Sequence, residues 1–228
     1  MTPTRLSRDS SSQRQTRRRS VESAAVAGIV FSITSVLALS LLRALPHQWD
    51  NEIYSWRADD TNARALSLGL GVASVAAVAL LWFVAVVRRR VGKREDQFFS
   101  TVFLGSAIVY ACLWLVGAAN LAAPAMARNG QLDLASIDLA EAVAAGLLLV
   151  VGTRIQAVFV ASASTIFLRT SVLPNWVGYL GYLVAAVLFV VPVVYSPLGL
   201  AMPIFVFVSS VVILVHRRDE AGESDDGH

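Results

Sequence analysis

Apolar residues in this chain come in blocks of about 20, separated by short polar stretches, and that spacing is the strongest constraint on what the chain can fold into. A helix rises about 1.5 Å per residue, so a block of this length matches the roughly 30 Å hydrocarbon layer of a bilayer. Composition agrees with this reading. Of 228 residues, 56% are hydrophobic and 15% charged, where a soluble domain runs at about 25% charged. The mean hydropathy is +0.61. A soluble enzyme, a nucleic-acid-binding domain and a disulfide scaffold are thereby excluded.

The blocks predict an all-α, polytopic transmembrane six-helix bundle. Met1 to Ser20 is rich in Ser, Arg and Gln and reads as a disordered basic tail. Ser23 to Leu42 is the first span, ended by Arg43 and Pro46. Ala38-Leu39-Ser40 resembles a signal cleavage site, but the apolar run is longer than a signal core and more spans follow, which favours an uncleaved helix. The residues after Arg17 to Arg19 do not suit a twin-arginine signal. His47 to Arg64 is a polar loop, Ala65 to Val87 the second span, and Phe98 to Ala119 the third, followed by a second loop from Asn120 to Ser136. Ile137 to about Thr165 is too long for one upright span, so the fourth helix must tilt, protrude or break. Trp176 to Val194 and Leu198 to Val215 are the fifth and sixth, joined by Tyr195-Ser196-Pro197. The spanning domain thus covers residues 21–215, and 216–228 is an acidic tail.

Charge sets the orientation. Of 19 basic residues, 14 fall in the N-terminal tail, the Arg88 to Arg94 turn, Arg169 and the Arg217-Arg218 pair, all on one side of the six spans. Only Arg43, Arg57, Arg64 and Arg128 fall on the other. By the positive-inside rule both termini are expected to be cytoplasmic and the His47 to Arg64 loop external. The net charge of +3 and the pI near 9.4 are accordingly statements about topology, and no nucleic-acid partner is expected. Cys112, the single cysteine, sits in an apolar run and is expected to be a buried, reduced thiol.

One basic residue remains, inside the fourth span. An arginine at the bilayer centre costs at least about 2.5 to 3.5 kcal/mol, so Arg154 needs a partner. Glu141 lies 13 residues away, about 220° around the helix and about 20 Å along it, and spans two, three, five and six contain no acid. The partner is then a carbonyl, a hydroxyl, the Asn120 or Gln156 amide, a lipid headgroup or an anionic ligand. On the functional reading, Arg154 and Thr165 share a helix face and bind a small anion or anionic lipid, with Asn120 and Glu141 as further candidate ligand-binding residues. On the plainer reading, Arg154 snorkels to the cytoplasmic headgroups. Asp138 and Glu141 also suit an ordinary helix first turn.

Elsewhere the signals are architectural. His47, Asp50 and Glu52 lack the second histidine a metal site wants, so neither a metal nor a cofactor is expected. Trp49, Trp56 and Trp176 read as interface anchors in contact with the lipid bilayer. Gly69-x3-Ala73-x3-Ala77 and Gly181-x3-Ala185 are close-packing stripes, within the bundle or between the protomers of a homo-oligomer. Ser162, Ser164 and Thr165 fit the same role, and no catalytic motif is present.

Leu173-Pro174-Asn175-Trp176-Val177-Gly178, continuing to Gly181 and preceded by Arg169-Thr170 and the Arg154 to Thr165 span, resembles a group of small multi-pass membrane proteins common in actinobacteria. The resemblance covers about 30 residues and implies a six-helix inner-membrane protein; it brings no catalytic residue with it. The expected function is a non-enzymatic integral membrane role, structural, accessory or in small-solute or lipid handling. The alternatives are a transporter or channel subunit with an anion or headgroup site at Arg154, and a lipid-modifying enzyme. Reporter fusions test the orientation: one after Arg90 is expected to report cytoplasmic and one after Arg57 external, and an external Arg90 fusion would overturn the assignment.

Overall fold

The computed structural model describes residues 4–42, 60–89, 97–126, 134–170, 173–191 and 199–222, and every element among them is helical. In chain order these are α1 (Thr4–Leu42), α2 (Asp60–Arg88), α3 (Gln97–Met126), α4 (Leu134–Ala145), a π-helical turn (Gly146–Val151), α5 (Gly152–Thr170), α6 (Asn175–Val190) and α7 (Ala201–Gly222). The α4, π and α5 segments run on without interruption, giving six helical rods. Four apolar stretches are long enough to cross a membrane: Ser23–Leu42, Thr61–Arg88, Phe98–Ala123 and Ala135–Thr170. The chain is an all-α membrane protein.

Neighbouring rods are antiparallel, and specific contacts fix their register. Leu41 and Leu42 of α1 pack on Gly69 of α2, while Gly28 of α1 meets Phe83 of α2 and Val206 and Ser210 of α7. The Trp114 indole N–H donates to the Ala73 carbonyl at 3.1 Å, tying α3 to α2. Phe103 of α3 stacks on Phe159 of α5 with centroids 4.7 Å apart. Leu148 lies over Gly117, so close that a Cβ there would come within 2.6 Å of it. Gly178 and Gly181 of α6 admit Leu168 and Ser164 of α5. The rods therefore follow one another around the bundle, and α7 packs mainly on α1. Both small-residue stripes are covered inside the protomer, where they let backbones approach closely enough to gain dispersion contacts that lipid tails do not supply.

Arg88, Phe99 and Arg169 mark one end of the bundle, called here the basic end; Leu42, Asn120 and α4 lie toward the opposite, distal end. The Arg88 side chain donates to the Ser100 hydroxyl at 3.0 Å, and the Arg169 guanidinium stands 5.0 Å over the Phe99 ring.

Several helix limits differ from the sequence expectation. Helical backbone begins at Thr4, inside the segment read as a disordered tail: no glycine or proline interrupts the chain from there to Gly28. It also continues past Val215 to Gly222. The loop expected from Asn120 is instead the last turns of α3, because Leu121, Ala122 and Ala123 are good helix formers and the Asn120 amide donates back to the Val116 carbonyl at 2.8 Å. The over-long fourth span is a 36-residue rod, about 54 Å, relieved at Gly146–Val151 by the π turn. There the Gly152 N–H reaches the Leu147 carbonyl, five residues back, and a Cβ on Gly152 would lie 2.8 Å from that oxygen. Cys112 is exposed on the outer surface and not buried, because the inward face of that stretch of α3 is taken by Tyr110, Ala111 and Trp114.

The fifth rod, and the apolar part of the sixth, are shorter than expected. α6 stops at Val190, since Val191 precedes Pro192 and adopts an extended conformation at φ −71° and ψ 123°. At 16 residues, α6 is about 24 Å long. The apolar part of α7, Ala201–Val215, is about as short. Tyr195-Ser196-Pro197 lies outside the described residues.

Gly28→Ala is expected to lower stability by about 1–3 kcal/mol through overpacking against Phe83, Val206 and Ser210. Gly105→Ala, where a Cβ meets open space in the middle of a helix, is expected to raise it by about 0.5–1 kcal/mol. Thermal unfolding in detergent reads both.

Candidate functional site

The polar groups of the bundle interior concentrate where α6 and α7 end. Depth along the bundle is set by one contact: the Ser32 hydroxyl lies 2.8 Å from the Pro203 carbonyl, in the first turn of α7. Ser32 stands ten residues before Leu42 and Pro203 two residues into α7, so α7 begins about 12 Å short of the distal end of α1. The α6 terminus is level with it, as the hydrogen bonds from α5 show. Two helix ends therefore lie inside the apolar length of the bundle, where neighbouring helices run on past them and free backbone groups call for partners within the protein.

Two residues of α5 meet that demand. Arg154 Nη1 donates to the Leu188 carbonyl oxygen at 3.0 Å and approaches the Thr153 hydroxyl at 3.4 Å. Leu188 is among the last four residues of α6, whose carbonyls have no partner within the helix, and that end carries the negative pole of the helix dipole. Val187 is answered locally by the Val191 N–H at 3.0 Å. Gln156, 1% exposed, serves the start of α7: its Nε2 donates to the Gly199 carbonyl, and its Oε1 accepts the Met202 N–H, each at 3.3 Å. The buried Tyr110 of α3 also hydrogen-bonds to Gln156. A single turn of α5 thus carries a cation for a C-terminus and an amide for an N-terminus.

The magnitudes match. A hydrogen bond from a charged donor contributes about 1.5–3 kcal/mol, and a cation at a partly buried helix C-terminus up to about 2 more. Together they offset the cost of at least about 2.5 to 3.5 kcal/mol for placing Arg154 in a span. In the structure its guanidinium is engaged with α6, about 24 Å along α5 from Thr170 at the basic end.

The other expected site residues do not join Arg154. Thr165 shares its helix face, but at about 16 Å along the axis; its hydroxyl donates to the Ala161 carbonyl at 2.9 Å and lies 2.7 Å from the Tyr182 hydroxyl. Glu141 is half-buried on α4, about 20 Å to the distal side. Asn120 bonds within its own helix. The hydroxyls of Ser162 and Ser164 likewise donate to carbonyls four residues back, at 2.8 Å each. Trp176 is exposed in the first turn of α6; Trp49 and Trp56, with His47, Asp50 and Glu52, lie outside the described residues. Sequence reasoning treated Gln156 as one candidate partner for Arg154 and overlooked Tyr110. A buried amide two residues from an intramembrane arginine was the available signal.

Gln156→Leu is expected to cost roughly 2–5 kcal/mol in thermal unfolding, because it strands the Met202 N–H and the Gly199 carbonyl. Tyr182→Phe, at a half-exposed hydroxyl, is expected to cost under about 1 kcal/mol. No protein-family model, curated protein or solved structure matches the chain.

Proposed function

We propose that the protein is a non-enzymatic integral protein of a bacterial inner membrane, with both termini cytoplasmic and a structural, accessory or lipid- or solute-handling role. The observation that carries this reading is the engagement of Arg154 with the α6 terminus: the arginine within the apolar part of α5 serves as a helix cap. The charge asymmetry of the loops supports the orientation, since Arg88, Arg89 and Arg169 all stand at the basic end. The hydroxyls of Ser162, Ser164 and Thr165, the candidate nucleophiles of a lipid-modifying enzyme, are each directed to a carbonyl of their own helix.

One observation favours a transporter or channel subunit as the second reading. Helix ends of opposite polarity come together in α6 and α7 within the bundle, an arrangement that discontinuous helices use to hold solutes and ions in many transporters.

Arg154→Met separates the two. As a cap, Arg154 is expected to be needed for the fold, so the variant loses abundance in the membrane and melts lower by the equivalent of about 2–4 kcal/mol, while Arg154→Lys, which keeps the charge, loses less. Normal abundance and melting together with lost solute flux would reject the cap reading in favour of transport.

A further inference from the structure

The charged ends of α1 and α7 leave the apolar part of the bundle at one level. Two contacts set the register of this antiparallel pair: Gly28 meets Val206 and Ser210, and the Ser32 hydroxyl lies 2.8 Å from the Pro203 carbonyl. From Gly28 back to Thr4, and from Val206 on to Ala221, neither helix is interrupted by glycine or proline, so the register carries on at about 1.5 Å per residue. It brings Val215, where the apolar part of α7 stops, to within about 3 Å of the level of Ser23, where the apolar span of α1 begins. Arg17, Arg18 and Arg19 then lie within about one turn of the level of Arg217 and Arg218. Arg17 is eleven residues from Gly28 and Arg217 seven from Ser210, each about 20° around its helix from that contact, so both fall on the faces that carry the α1–α7 packing. All five stand about 3–9 Å beyond the apolar spans, at the depth of a headgroup layer. The same turns carry Glu22, Asp219 and Glu220, so five arginines outnumber three carboxylates, and Asp219 falls about 180° around α7 from Ser210.

We propose that Arg17, Arg18 and Arg19 of α1, with Arg217 and Arg218 of α7, form a single two-helix site for the phosphate of an anionic phospholipid in the leaflet at the basic end. Like charges gathered on adjoining helices repel one another, and a bound anion relieves that repulsion. Guanidinium and phosphate are matched in charge and in fork geometry, and clusters of roughly four to eight basic residues just outside a span attract anionic lipid. On the membrane side, Phe207 and Val215 are exposed apolar side chains of α7, a surface that an acyl chain can lie along and a free phosphate cannot use. The proposal rests on the membrane reading above and gives its lipid-handling branch a place and a headgroup chemistry.

The full chain is labelled with a fluorophore at Ser20→Cys in a Cys112→Ser background and placed in phosphatidylcholine vesicles. These hold either phosphatidylglycerol or phosphatidylcholine spin-labelled high on the acyl chain, at equal mole fraction. Labelled phosphatidylglycerol is expected to quench several-fold more strongly than labelled phosphatidylcholine. Arg217→Gln with Arg218→Gln is expected to remove more than half of that preference, although the three α1 arginines remain. Arg5→Gln with Arg8→Gln removes the same charge about 14 Å or more further along α1, beyond the screening length of about 8 Å at physiological salt, and is expected to leave the preference unchanged. Inorganic phosphate at constant ionic strength is also expected to leave it unchanged. Equal quenching by the two lipids overturns the proposal. An equal loss in the two double variants overturns it in favour of net charge alone, and no loss on removing Arg217 and Arg218 overturns the two-helix site. Displacement by inorganic phosphate overturns it in favour of a soluble anion. The comparison of the two lipids needs no substitution among the arginines and decides the matter even where a double variant fails to fold. Because the Arg154→Met experiment reads melting and solute flux, a lost lipid preference with normal melting removes this site and leaves the proposed function standing.

Discussion

Two hydrogen-bonding side chains of α5 make the architecture of this bundle possible. A backbone that leaves helical geometry inside a bilayer exposes donors and acceptors that lipid cannot satisfy, at several kcal/mol each. α6 and α7 both end inside the apolar length of the bundle, and Arg154 and Gln156 hydrogen-bond to those ends. The polarity is matched at each terminus, with a cation at the carbonyl end of α6 and an amide oxygen at the N–H end of α7. Arg154 is therefore better understood from the helix it serves than from the helix that carries it.

The remaining packing brings those caps into place. Gly178 and Gly181 seat α6 against Leu168 and Ser164, which sets the register that puts Leu188 beside Arg154. Ser32 fixes α7 against α1 through the Pro203 carbonyl, and Phe167 stacks on Phe205 between α5 and α7. The π turn at Gly146–Val151 lies directly before the capping residues. A π turn inserts one extra residue and rotates the angular phase of the helix beyond it, so the direction in which Arg154 and Gln156 project from the rod depends on it. The Ser35 and Ser210 hydroxyls, fully buried, have no hydrogen-bond partner among the described residues, and the structure offers no physical account of them.

Much of the fold was legible because a bilayer imposes a simple rule on composition. Six apolar blocks became six rods, and the long fourth block was recognisable as a departure from a single upright span. Boundaries were less legible where helix propensity outran hydropathy: Asn120 to Met126 is polar at its start but helical, and so is the arginine-rich stretch from Thr4. Cys112 showed the converse limit, because an apolar run in a membrane helix has a lipid-facing side as well as a buried one, and run composition does not say which residue faces where.

For the candidate site, the sequence by itself determined that Arg154 needed a partner and that no carboxylate in its own helix could be that partner, because both conclusions rest on helix geometry and the cost of a charge in hydrocarbon. It also held the reason α6 stops, in the proline after Val191. Only the tertiary structure decided which carbonyl Arg154 would meet, that Gln156 would bridge Gly199 and Met202, and that Thr165, Asn120 and Glu141 would stand apart from them. These partners lie between 34 and 46 residues from the α5 side chains that hold them. Their meeting depends on interhelical register, and a hydropathy pattern read along one chain carries no information about how far one helix has slid past another.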